Sequence, residues 1–447
     1  MVSRYGQNSQ PRFPHLGAFE STKIHGSGED VLGTTRHAEF WRSDLERLQQ
    51  AGVRELRYPV PWHRIERAPG NFDWRWMDGP MRSMHDLGLQ PIVDTLHHVS
   101  FPDWLEGGFA NPRFPELYSH FVEKVAQRYE WVERYTVLNE PLPTLVLCAL
   151  TGDWYPHCRS DEHFIAMAIN VARAICITTD ALRKINRRIQ LVHVDSCERH
   201  RALDVESREW VEHANHRRFL IHDLILGRVH ARHALMPYLR RHGFNDNHRR
   251  WFCDHPVEID VLGLDYYAHS EIEWEWDSNL GQAAICFPCK QPQGFAAVAH
   301  DYVERYRLPI LLTETNVGGS VTDRLTWLRF MEEQAETLAR AADFRGFCWF
   351  PSIDATDWDT LCTQANHRVS PMGIWGLTED RRERCCSELS KWYVRLARGE
   401  ASSSHLPAYR FSSTLDRDLQ GFLRLMKHWN NWSDAQQGAE LAGGHAA

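Results

Sequence analysis

The chain has 447 residues, 43% of them hydrophobic and 25% charged, with a formal net charge of −8. Such proportions are ordinary for a globular protein with a large core. The two charge signs are interspersed, which argues against a nucleic-acid or anionic-membrane partner, since both need a concentrated basic surface.

Residues 1–14 form a polar N-terminal tail without the apolar core of a leader peptide. Nowhere do about 18 apolar residues run consecutively, so no membrane span is expected and the location expected is cytoplasmic. From residue 15 onward, short β-rich runs alternate with longer helical patterns. The runs occupy 15–21, 53–60, 90–98, 134–140, 190–196, 259–267, 309–316 and 344–354. Several are almost continuously apolar, as strands buried on both faces of a parallel sheet must be. Helical periodicity fills 39–51, 115–129, 162–185, 296–305 and 323–342. Gly52 is placed to stop the first of these helices and Asp323 to start the last. Eight strand–helix units in succession predict a (β/α)8 TIM barrel over residues 15–398, a single domain. An open doubly wound sheet is the competing fold, but no Gly-rich phosphate loop follows the first run. Residues 399–447 break the rhythm. They read as a linker, a docking helix over 415–429 and a frayed tail from 435.

The clusters from His213 to Arg218 and from His248 to Arg250 read as solvated helix faces. Eleven cysteines, an odd number without a framework, fit reduced thiols. The lone C-x-x-C between Cys286 and Cys289 lacks a second pair. The 26 histidines include no H-E-x-x-H or similar spacing, so neither a metal nor a cofactor is expected.

In barrels of this kind the chemistry sits at the C-terminal ends of the strands. The polar residues closing the predicted strands are Glu20, Arg57, His97 or His98, Asn139 with Glu140, Asp195, Asp265 with Tyr266 and Tyr267, Glu314, and Asp354 or Asp357. So many carboxylates at one mouth are costly unless they work or pair with cations. Two carboxylates flanking a glycosidic bond can cleave it, one donating a proton and the other attacking carbon or activating water. Their environments must then differ. Glu314, with Arg57 as neighbour, is the candidate for the ionised partner. Glu140 is the candidate for the protonated one.

The segments that carry this chemistry also form a recognisable series. Thr136-Val-Leu-Asn-Glu-Pro141 resembles T-x-N-E-P with one extra residue, and Leu312-Thr-Glu-Thr-Asn-Val-Gly318 resembles an altered I-T-E-N-G. Thr95 to Pro102, Leu56 to Arg64, Ile259 to Tyr267, and Gly346 to Phe350 with Asp357-Trp358 match further motifs in the same chain order. Together they resemble glycoside hydrolase family 1, the retaining β-glycosidases of a larger barrel clan. The resemblance implies Glu140 as acid/base and Glu314 as nucleophile. It implies Asn139 on the sugar 2-hydroxyl, Arg57 and Tyr267 on the nucleophile, and His98 on a ring hydroxyl. Trp349 would be the platform under the sugar, with Asp357 and Trp358 meeting its far hydroxyls. Glu20 stands nearest to the Gln expected on the first strand. Departures occur at Val99, Asp265, Thr315-Asn316 and Asp357, all in the shell around the catalytic pair.

The expected activity is hydrolysis of a terminal β-linked sugar from a small glycoside or oligosaccharide. The acidic mouth, counted as Glu20, Asp265 and Asp357, would repel phosphorylated sugars and uronides. An endo-acting barrel glycanase and a catalytically silent carbohydrate-binding barrel are the alternatives.

Overall fold

In a computed structural model, residues 13–279, 281–286, 289 and 291–426 are described. Eight strands close into a barrel: β1 His15–Ala18, β2 Glu55–Pro59, β3 Gln90–Asp94, β4 Arg134–Thr136, β5 Gln190–Ser196, β6 Val261–Asp265, β7 Ile310–Glu314 and β8 Phe344–Cys348. Each pairs in parallel with its neighbours in sequence, and β8 closes on β1. The (β/α)8 architecture expected from the alternation is therefore the one that forms.

Strand alternation sorts the side chains. Leu16, Ala18, Ile92, Val192, Val194, Leu311, Cys348 and Phe350 fill the barrel interior. The residues between them face the outer helices. Gly263 on β6 shows how tight the wall is: a Cβ there would lie 2.7 Å from Val194 and 2.8 Å from Thr313.

The outer ring contains α1 His37–Gln50, α2 Asp78–Asp86, α3 Phe114–Arg128, α4 Asp161–Ile185, α5 Leu220–Ile225, α6 Phe295–Tyr306, α7 Val321–Ala341 and α8 Glu388–Ala397. Helix α1 stops before Gly52, whose φ of 90° is left-handed as a helix end requires. Ser160 caps α4, with acids in the first turn and Arg183 and Lys184 in the last, matching the helix dipole. One window of α4 is apolar enough to span a membrane, yet 67% of it is buried within the fold. Helix α7 corrects an expectation. Its cap is Ser320, whose hydroxyl accepts from the Asp323 amide while the Asp323 carboxylate reaches back to Ser320, a reciprocal capping box.

The cluster from His213 to Arg218 is also not a solvated face throughout. Arg217 and Arg218 are buried, and Arg218 is held by Asp301 and the Glu198 carbonyl. A three-stranded sheet of Arg199–Ala202, Glu271–Asp277 and Gln282–Ile285 stands outside the barrel and has no counterpart in the sequence reading. Past α8, a turn at Ser403–His405 leads to α9, Ser413–Met426. The frayed tail expected from residue 435 lies outside the described residues, as do residues 1–12 of the N-terminal tail.

Candidate active site

The catalytic candidates sit at or just beyond the ends of the hydrogen-bonded ladder. Glu314 is the last residue of β7. Arg57, from β2, donates through Nη1 to its Oε1 at 2.5 Å, and the Tyr267 hydroxyl donates to its Oε2 at 2.6 Å. Both carboxylate oxygens thus have donors, the environment of an anion. The other Arg57 amino group donates to Asn139 Oδ1 at 2.5 Å and lies 3.5 Å from Asp94. Burial opposes the Arg57 charge, but Glu314, Asp265 and Asp94 outweigh it and raise its pKa.

Glu140 follows β4 and has a left-handed backbone, φ 43°. That conformation is costly for a residue with a Cβ. It turns the chain sharply into the short helix Pro141–Leu145. The nearest carboxylate oxygens of Glu140, Asp265 and Glu314 lie within 4.8 Å of one another. Burial first, and then the charges of Asp265, Glu314 and Asp195, push the Glu140 carboxyl well above the usual carboxylate range. The two glutamates therefore differ in their surroundings, one with two donors and the other among acids.

Asp265 is the third acid. It accepts from Thr313 Oγ1 at 2.5 Å, and burial with the Glu314 charge pushes its carboxyl up too. When ionised it is a like charge beside Glu140, and replacing it removes that charge. Asp265→Asn is therefore expected to lower the Glu140 pKa and, with Glu140 as the acid that the family resemblance implies, to move the alkaline limb of the kcat/KM profile to lower pH. A pH–rate series on a nitrophenyl glycoside checks this, and an unmoved limb refutes the assignment.

Glu20 lies beyond β1. It accepts from the Ser21 and Thr22 amides at 2.7 and 2.8 Å and from Trp358 Nε1 at 3.0 Å. Burial pushes its carboxyl up, but His97, His98 and the Thr22 amide prevail and hold it down at about 2. His97 bridges Glu20 (3.3 Å) and Asp94 (2.7 Å). His98, also left-handed at φ 49°, bonds Thr144 through Nδ1 and points Nε2 to within 3.7 Å of Glu140.

These groups border a cavity of about 970 Å³. Glu20, His98, Glu140, Tyr267, Glu314 and Trp358 line it, and Arg57 bonds both Glu314 and Asn139. Two expected site residues are placed elsewhere. Trp349 is fully buried in the outer core, with Nε1 on the Met372 carbonyl, and is not among the residues lining the cavity. Phe350, one residue on, lines it instead, stacked on His97 and beneath Arg57. The phase of β8 explains the exchange, because Cys348 and Phe350 face inward and Trp349 faces out. Asp357 is also fully buried, and its carboxylate accepts from the backbone amides of Asn366, His367 and Arg368. It holds a loop and is not among the residues lining the mouth, where Arg368 and Arg417 stand. Asp94, Thr144 and Thr313 escaped the sequence reading. An Asp closing the apolar run Pro-Ile-Val-Asp (91–94) was the signal available for the first.

Helix α9 completes one side of the cavity through Arg417, Asp418 and Leu419. The Asp418 carboxylate packs so closely on Gly318 that a Cβ there would lie 1.8 Å from its oxygen.

Comparison with known proteins places this geometry in context. The chain is 20% identical over 395 residues to beta-glucosidase A of Thermotoga maritima, covering 81% of this chain and 86% of the relative. It is 20% identical over 390 residues to a 1,4-beta-D-glucan glucohydrolase of Thermotoga neapolitana, covering 80% and 85%. The solved beta-glucosidase from Thermotoga maritima in complex with castanospermine superposes with a TM-score of 0.75 at 16% identity, covering 90% of this chain and all of that one. The family model described as Glycosyl hydrolase family 1 matches residues 19–275, more than half of the chain. The chain is a glycoside hydrolase and belongs to glycosyl hydrolase family 1.

Proposed function

We propose that the enzyme hydrolyses a terminal β-linked sugar from a small glycoside with retention of configuration. Glu314 acts as nucleophile and Glu140 as acid/base. The observation that carries this reading is the close approach of two carboxyl groups in unequal surroundings. Retaining pairs stand about 5–5.5 Å apart and inverting pairs about 6.5–9.5 Å apart, the wider gap admitting a water. An oxygen–oxygen approach within 4.8 Å supports the narrow class.

In the first step Glu140 gives its proton to the leaving oxygen while Glu314 attacks the anomeric carbon. In the second, Glu140 takes a proton from water as that water displaces Glu314. Arg57 and Tyr267 orient the nucleophile and keep its charge hydrogen-bonded before attack. Asn139 Nδ2 is buried without a partner among the described residues, which suits a donor to a sugar hydroxyl. Glu20, His98 and Trp358 supply further hydroxyl contacts and an indole face. The relatives' printed activities, beta-glucosidase and 1,4-beta-D-glucan glucohydrolase, support a gluco-configured sugar as the first substrate to try. A cavity bounded by α9 favours a short substrate over an internal position in a polymer.

The test is a panel of nitrophenyl β-glycosides followed by proton NMR during the first turnovers. The β-anomer is expected to accumulate before mutarotation. Initial release of the α-anomer, or no hydrolysis across the panel, would overturn the reading.

A further inference from the structure

A second cluster of chemistry-bearing side chains lies in the barrel wall. On β5, Val192 and Val194 face the barrel interior, so His193 and Asp195 face outward on one side of the strand. Opposite them stands His222 of α5. All three are buried: His193 is 2% exposed, and Asp195 and His222 are 0% exposed. The two imidazoles meet edge to face with centroids 4.9 Å apart. One ligand atom from each of the three residues lies within 4.8 Å of the others.

Four of their polar atoms have no partner among the described residues. Both ring nitrogens of His222, Nε2 of His193 and Oδ2 of Asp195 are buried without a hydrogen bond. Native interiors seldom leave polar atoms so, and four from three adjoining residues mark a place built for something that accepts their lone pairs. The surroundings do not offer themselves as that partner. His222 stacks on Tyr306, and the neighbouring Asp223 is already held by His233, Arg305 and the Tyr306 hydroxyl.

We infer that His193, Asp195 and His222 form a buried site for one divalent first-row transition ion, with zinc best matched to two imidazoles and a carboxylate. Neutral imidazole nitrogen and carboxylate oxygen are ordinary zinc ligands, and three protein ligands with a water complete a tetrahedron. Bonds of about 2.1 Å set tetrahedral ligand atoms roughly 3.4 Å apart, so the side chains close on the ion by about an ångström. None of the three is among the residues lining the substrate cavity. The ion is therefore a structural clamp between β5 and α5.

The clamp reaches the active site through one residue. Asp195 Oδ1 accepts from the Leu142 amide at 3.2 Å and from the Ser196 amide at 3.0 Å. Leu142 lies two residues after Glu140, in the helix that begins at Pro141. Fixing Oδ2 on a metal fixes the whole carboxylate and, through Oδ1, the turn that presents Glu140. Asp195 is thus a positioning residue as well as a ligand.

The test uses the full chain, freed of any affinity tag, loaded with zinc and dialysed. About one zinc per chain is expected to remain and to raise Tm. His193→Gln and His222→Gln are expected to lose that zinc, while Glu314→Gln keeps it. The last comparison separates this site from the Glu140, Asp265 and Glu314 carboxylates, which could also draw a cation. Should a histidine variant fail to fold, cobalt(II) in the unsubstituted chain decides, because paramagnetically shifted imidazole N–H signals count histidine ligands directly. Two such signals support the site. No retained zinc, zinc lost with Glu314→Gln, or a cobalt spectrum without shifted imidazoles would each overturn it.

Discussion

Under the proposed mechanism, Glu314→Ala is expected to lower kcat on nitrophenyl β-glycosides by about 10⁴-fold or more, because the variant lacks the proposed nucleophile. Arg57 and Tyr267 remain in place in that variant, both having lost the oxygen they donated to. Their donors then border a carboxylate-sized gap, which suits a small anion. Added azide is accordingly expected to restore turnover in Glu314→Ala and to yield the glycosyl azide of opposite anomeric configuration. The buried guanidinium keeps Asp94 and Asp265 nearby in that variant, so the barrel is expected to lose less stability than the about 3–5 kcal/mol of a fully uncompensated buried charge. Glu314→Gln, which retains an oxygen for Arg57, separates that effect from the chemistry. Activity within tenfold of the unsubstituted enzyme, with a normal melting curve, would show that the nucleophile lies elsewhere.

Glu140→Ala should behave differently, and the difference identifies its role. Proton donation matters in proportion to how poor the leaving group is. For an alkyl glycoside, kcat/KM is expected to fall by about 10²–10⁴-fold. For a dinitrophenyl glycoside, whose phenolate leaves unaided, kcat/KM should change little, while kcat falls because water is no longer activated in the second step. The alkaline limb of the pH profile should vanish at the same time, since the group whose deprotonation causes it is gone. A uniform loss across both leaving groups would contradict the acid/base assignment.

The barrel was legible because short β-rich runs, several almost continuously apolar, alternate with helical patterns, and all eight predicted runs contain an observed strand. Their ends were read too far along. The fourth was expected to reach Glu140, whereas the continuous ladder of β4 stops at Thr136. Glu140 carries the sequence signal of the strand but sits past it, where the backbone turns. The stretch 208–254 was read as little more than charged clusters because its helices are short and rich in Arg and His. Trp349 was misassigned for a subtler reason. The family resemblance implies an indole beneath the sugar at Trp349, but the inward phase of β8 turns Phe350 into the cavity instead. The grouping of His193 and Asp195 with His222 has no sequence spacing to announce it, because a strand and a distant helix meet only in the closed wall.

His98 and Glu140 were described as left-handed, at φ 49° and 43°. Each such conformation in a side-chain-bearing residue stores energy on the order of 1–3 kcal/mol, held in place by the packing around it. The two lie on neighbouring strand ends and face each other at 3.7 Å, so the tension is concentrated at one sector of the rim. Heat resistance and turnover therefore pull this sector in opposite directions. Substitutions that relax the rim would lengthen the protein's life at high temperature and let the Glu140 carboxyl, the proposed proton donor, drift. Selection for durability alone would wear the enzyme out first at its most productive corner.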